Sequence, residues 1–80
     1  MAKAGRQPDD AFGRVLRRLR QERGMSQEAL AHACDRHRTY ISLLERGRNS
    51  PSLRTLFRLA TALGTLPSSI IRHVEVEIEP

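Results

Sequence analysis

The stretch Ser26-Gln-Glu-Ala-Leu-Ala-His-Ala-Cys-Asp-Arg-His-Arg-Thr-Tyr-Ile-Ser-Leu-Leu-Glu-Arg-Gly47 holds two short helical patterns with a break between them. Ser26 supplies a side-chain acceptor ahead of the first, and Glu28 lies near the positive end of its dipole. Leu30, Ala31 and Cys34 share its inner side. The pattern breaks at Asp35-Arg36 and resumes from about His37 to Arg46, with Ile41 and Leu44 inward. Gly47 then provides the left-handed residue that commonly ends a helix. At about 3.6 residues per turn, Thr39, Ser42, Leu43 and Arg46 point away from Ile41 and Leu44, with Arg38 on the flank at the helix start.

Helical spacing continues on both sides. Asp9 or Asp10 is a candidate cap for a first helix carrying Phe12, Val15, Leu16 and Leu19 at i, i+3, i+4 and i+7, and Gly24 ends it. Ser52 opens a fourth helix with Leu53, Leu56, Phe57, Ala60 and Leu63 as its apolar positions, and Gly64 closes it. Pro67 starts a fifth helix with Ile70, Ile71 and Val74. The terminal run Val74-Glu-Val-Glu-Ile78-Glu alternates strictly, which is strand periodicity. With no other strand in the chain, its partner would be the same segment of a second subunit; the run also reads as a frayed acidic tail or as more of the fifth helix. The expected organisation is therefore all-α: residues 1–8 a flexible arm, 9–73 a five-helix domain, and 74–80 a tail or dimerisation strand.

Eighty residues with 39% apolar content accommodate one small core, and three aromatic residues favour a helical core of Leu, Ile, Val and Ala over a sandwich. No run approaches the roughly 20 apolar residues of a membrane span, and the first residues lack a signal peptide's apolar stretch. Together with the single cysteine, Cys34, this points to a cytoplasmic protein without membrane association. The formal charge is +5, and 13 of the 14 basic residues are arginines, spread from Arg6 to Arg72. Glu75, Glu77 and Glu79 crowd the C-terminal end, so the body is more basic than the sum. Such a surface attracts a polyanion, and the planar guanidinium suits phosphate oxygens and guanine edges.

The quoted stretch resembles the lambda-repressor-like, or Cro/repressor (XRE-type), helix-turn-helix family. The resemblance runs from about Phe12 to Leu66 and rests on Ser26-Gln-Glu, on Ala31 where two helices cross closely, on Leu30, Cys34, Ile41 and Leu44, and on Tyr40-Ile-Ser followed by Glu45-Arg-Gly. Asp35 stands where the family usually has Gly, and Arg36 where it has an apolar residue. Asp tolerates the left-handed conformation better than most residues, at about 1 kcal/mol; Arg36 is expected to extend outward toward phosphate.

The resemblance implies a sequence-specific regulator binding double-stranded DNA as a homodimer on a palindromic operator, with half-sites about 10 base pairs apart. The restriction-modification controller proteins, phage repressors and antitoxins are the subclasses it suggests. Arg38, Thr39, Ser42 and Leu43 are the expected base readers: an arginine for guanine N7 and O6, hydroxyls for base edges, a Leu for a thymine methyl. Gln27, Arg36, Tyr40, Arg46, Arg48, Asn49 and Ser50 are the expected phosphate contacts. The resemblance also implies that Arg20 pairs with Glu45 to tie the first helix to the third. Leu66, Ile70, Ile71 and Val74 are expected at the dimer contact. The rival reading is a protein-interaction module of the same fold, antitoxin-like or coactivator-like, whose face would lack phosphate-gripping groups. An enzyme is not indicated: His32, Cys34 and His37 do not share a helical face, and no nucleophile motif or phosphate loop occurs. No metal, cofactor or small-molecule ligand is expected.

Overall fold

The computed structural model describes residues 7–79, over which the chain forms α1 (Gln7–Glu22), α2 (Gln27–Ala33), α3 (Arg38–Glu45), α4 (Leu53–Leu63) and α5 (Pro67–Ile78). No strand occurs among the described residues. Most of the expected N-terminal arm lies outside them; α1 begins at Gln7, and Asp9 and Asp10 fill its first turn, where acids complement the dipole.

Each helix begins and ends for a local reason. The Ser26 and Ser52 side chains accept from the amides of Ala29 and Thr55, capping α2 and α4. Pro67 at the start of α5 forfeits only an amide that would have been orphaned. Four helix ends share one chain reversal, in which a residue at positive φ lets the next amide reach back to a carbonyl five residues earlier: Met25 to Arg20, Arg36 to Ala31, Arg48 to Leu43 and Thr65 to Ala60. Gly24, Gly47 and Gly64 occupy the left-handed position in three of them, and Asp35, at φ 58°, takes it in the turn between α2 and α3. The unusual Asp is thus accommodated without altering the turn's hydrogen bonding.

Val15, Leu16, Leu30, Ile41, Leu44, Leu59 and Ile70 are fully enclosed at the centre, with Ala11, Cys34, Ala60, Leu63 and Val74 closing the core around them. The α1 helix packs on both α3 and α5, and α2 packs on α3 and α4. Crossing of α1 and α3 is close because Gly13 lies against the α3 backbone: a Cβ there would come within 2.6 Å of the Leu44 and Glu45 carbonyl oxygens.

Two expectations are corrected. The alternating run after Val74 is helix, not strand: α5 continues to Ile78, with Ile70 and Val74 one turn apart in the core and Glu77 turned toward Arg14 and Arg18 of α1. The apolar stripe of α4 is also rotated from the expected one. Leu53 and Phe57 face solvent, 71% and 54% exposed, whereas Thr55 and Leu59 are buried beside Leu56, Ala60 and Leu63. Both stripes have helical spacing, and the packing of α2 and α5 on either side of α4 selects between them.

Candidate nucleic-acid interface

The orientation of α3 is set from beneath. Arg20 Nε and Nη2 donate to the two Glu45 carboxylate oxygens at 2.6 and 3.1 Å, and Nη1 donates to the Met25 carbonyl at 2.7 Å. The two side chains are only 11% and 4% exposed, so removing either would strand a poorly solvated charge. The fork joins α1, the loop before α2 and the last residue of α3 in one planar arrangement. Gln27 adds a further tie, its Nε2 donating to Glu45 Oε1 at 3.0 Å. Gln27 is expected at phosphate from the sequence, and no local sequence signal points to its bond with Glu45, eighteen residues away. One amide hydrogen of its side chain stays outside this bond, and the backbone amides of Gln27 and Glu28 open α2 with no carbonyl of their own helix to receive them.

On the opposite side of α3, Arg38 and Thr39 are exposed at the helix start, while Ser42 and Leu43 are half-buried. Arg46, beyond the last turn, is exposed, and its Nε reaches toward the Ser42 carbonyl at 3.4 Å. The arrangement therefore presents a cation and a hydroxyl most prominently, with the leucine set back. His37 caps the helix: its Nδ1 accepts from the Thr39 amide at 3.0 Å and lies at the same distance from Thr39 Oγ1.

Arg36 is exposed, yet its guanidinium is engaged within the domain. Its guanidinium lies over the Tyr40 ring at 4.3 Å from the centroid, and Nη2 donates to Thr55 Oγ1 at 3.3 Å. These contacts brace the turn, α3 and α4, which explains how an arginine occupies a position suited to an apolar side chain. Tyr40, half-buried, is the other half of that brace. Arg48, Asn49 and Ser50 follow α3 in an exposed loop. Asn49 Oδ1 accepts from the Ser50 amide at 2.9 Å, and the Ser50 hydroxyl donates to Asp9 of α1, so Ser50 is held by the domain while Arg48 makes no side-chain bond among the described residues.

Cys34, at the end of α2, is buried, and burial holds its thiol above the ordinary value, with Arg58 and Arg36 pulling the other way. A protonated, enclosed thiol is a packing group. Among the described residues no cluster of three metal-ligating side chains forms, and no helix is long and apolar enough to cross a membrane.

Of the residues expected at a dimer contact, Ile70 and Val74 are core residues of the subunit itself, whereas Leu66 and Ile71 are 64% and 42% exposed. The helical course of α5 causes this division, because side chains one turn apart share a face and that face is taken by the core. Leu53, Leu56, Ile71 and Val74 line a shallow groove between α4 and α5, closed at one end by Pro8 and Phe12.

Known proteins share this arrangement. A family model described as a helix-turn-helix domain matches residues 11–69. The chain is 44% identical over 61 residues to the control protein C.BamHI of Bacillus amyloliquefaciens, covering 75% of each. It also resembles the solved restriction-modification controller protein C.AhdI of Aeromonas hydrophila, with TM-score 0.74 and 41% identity over 76% of this chain and 92% of that one. The controller protein C.Esp1396I, solved as a tetramer in complex with its natural 35 base-pair operator, is similar at TM-score 0.78 and 28% identity, over 89% of this chain and 93% of that one. Agreement over three quarters or more of each chain, in a domain whose α1–α3 tie is intact, settles the ancestry: the chain belongs to the helix-turn-helix family of transcriptional regulators.

Proposed function

We propose that this protein binds double-stranded DNA sequence-specifically as a homodimer, with α3 of each subunit entering the major groove of one half-site of a palindromic operator. The observation that carries the reading is the exposed start of α3, where Arg38 and Thr39 project from a helix clamped by Arg20, Glu45 and Gln27. A base-reading helix must be stiff in angle yet free on its outer face, and this one is both. Arg38 is the guanine reader and Thr39 its neighbour, with Ser42 and Leu43 reaching bases only at close approach. Arg48, Arg46 and the free amides opening α2 hold the phosphates on either side. The similarity to a controller protein solved on its operator supports this assignment, as does the 44% sequence identity over 61 residues to a control protein. The subunits meet through the exposed Ile71 and Leu66 of α5 together with Leu53 of α4, in place of the buried Ile70 and Val74. Action on an operator places the protein in the cytoplasm with the chromosome, where concentration and cooperative binding regulate it.

The test is a gel-shift titration on a selected duplex. Arg38→Ala is expected to lose about 1–3 kcal/mol of discrimination at one position while retaining non-specific binding. Arg48→Ala is expected to weaken binding evenly across sequences and to lower the salt slope by about one. Unchanged binding in both variants would remove α3 from the interface.

A further inference from the structure

We propose that His37, beyond capping α3, is itself a DNA contact, donating a hydrogen bond from Nε2 to an acceptor on the duplex. The inference rests on the DNA-binding reading above and follows from the direction of the cap. A backbone N–H can only donate, so the 3.0 Å bond from the Thr39 amide makes His37 Nδ1 an acceptor. Thr39 Oγ1, also 3.0 Å from Nδ1, then donates its proton to the same lone pair. An imidazole that accepts at Nδ1 carries its hydrogen on Nε2. The helix cap therefore selects one tautomer and leaves a donor on the far side of the ring. His37 is exposed, immediately precedes Arg38, and Nε2 has no hydrogen-bond partner among the described residues. The ring is held by two bonds at one nitrogen, so its donor is positioned before DNA arrives and loses little freedom on binding. A phosphate oxygen and a purine N7 are equally suitable acceptors for a neutral N–H.

His37→Asn tests the two roles separately, because Asn is a strong helix cap whose carbonyl can accept from the Thr39 amide but which lacks the distal ring nitrogen. The unfolding midpoint of this variant is expected to match the parent, while operator affinity falls about fivefold, the loss of one neutral hydrogen bond. The salt slope stays constant, since a neutral donor displaces no counterion. An even loss across sequences assigns the acceptor to phosphate, and a loss confined to the selected site assigns it to a base. Arg38→Ala is titrated alongside. If Arg38→Ala weakens binding and His37→Asn does not, His37 is a cap alone; if neither does, the DNA-reading face is wrong as well. Two-bond proton–nitrogen spectra of the unmodified protein supply a measurement independent of any variant: the hydrogen is expected on Nε2, with a further Nε2 shift on operator addition. A hydrogen found on Nδ1 overturns the proposal.

Discussion

Among the described residues, Gly13 is the one glycine inside a helix, and its presence there is a packing requirement. Alanine would ordinarily stabilise a helix interior by about 1 kcal/mol over glycine. Here the added methyl would press on the Leu44 and Glu45 carbonyls, which are backbone and cannot rotate away. Gly13→Ala is therefore expected to destabilise by about 1–3 kcal/mol, read as a lower urea midpoint at unchanged slope. An unchanged or higher midpoint would show that α1 and α3 can separate without cost. The same crossing brings Arg20 and Glu45 together, so a missing side chain and a charged pair cooperate at one contact. Charge counting alone would have given Arg20 to DNA; only the ordered resemblance to a known family marked it as structural.

At the scale of the elements, α5 is tied to α1 through its last turn. Glu77 accepts from Arg14 Nε at 3.0 Å and from Arg18 Nη1 at 3.4 Å, linking the last turn of the chain's final helix to α1. The hydrogen bond from Arg14 is the main reason its carboxyl titrates below the ordinary 4.5, with both arginine charges adding to it. A carboxylate whose native value is depressed stabilises the fold above its unfolded value and ceases to do so as pH falls through the native one. Acidification below about pH 4.5 should thus loosen the end of α5 first, seen as lower amide protection factors over residues 74–78. In Glu77→Gln this acid-dependent step should disappear, leaving the protection factors at the helix end flat across the same range. The effect will be small and salt-sensitive because the pair is solvent-exposed.

At the scale of the molecule, two of the exposed apolar side chains, Leu53 and Ile71, lie together. Both border the groove between α4 and α5, whereas the expected readers lie on α3, which packs on α1 and α2. A subunit with its reading helix and its apolar contact on separate elements can dimerise without covering the DNA face. Ile71→Glu is expected to yield monomers by sedimentation equilibrium with the helical content intact. Operator affinity should fall about hundredfold as the second half-site stops contributing by effective concentration. If Ile71→Glu stays dimeric, the subunits meet elsewhere, and Leu66 is the next residue to alter.

Much of this architecture is legible in the order of residues, because it depends on contacts within a few positions: serine caps at Ser26 and Ser52, glycines at the left-handed positions, the inward pairs Leu30 with Cys34 and Ile41 with Leu44. The outward face of α3 follows from the same periodicity, and so do its reading candidates. What periodicity leaves undetermined is phase and partner. Leu53 and Phe57 satisfy a helical stripe as well as Leu59 and Thr55 do, and the choice was made by α2 and α5 packing on α4. The run after Val74 alternates like a strand, yet a strand without a neighbour leaves its amides and carbonyls unpaired, while a helix satisfies them internally and brings Val74 into the core. The bonds of Gln27 to Glu45 and of Arg36 to Thr55 likewise join groups distant in sequence that only the folded chain brings within hydrogen-bonding reach.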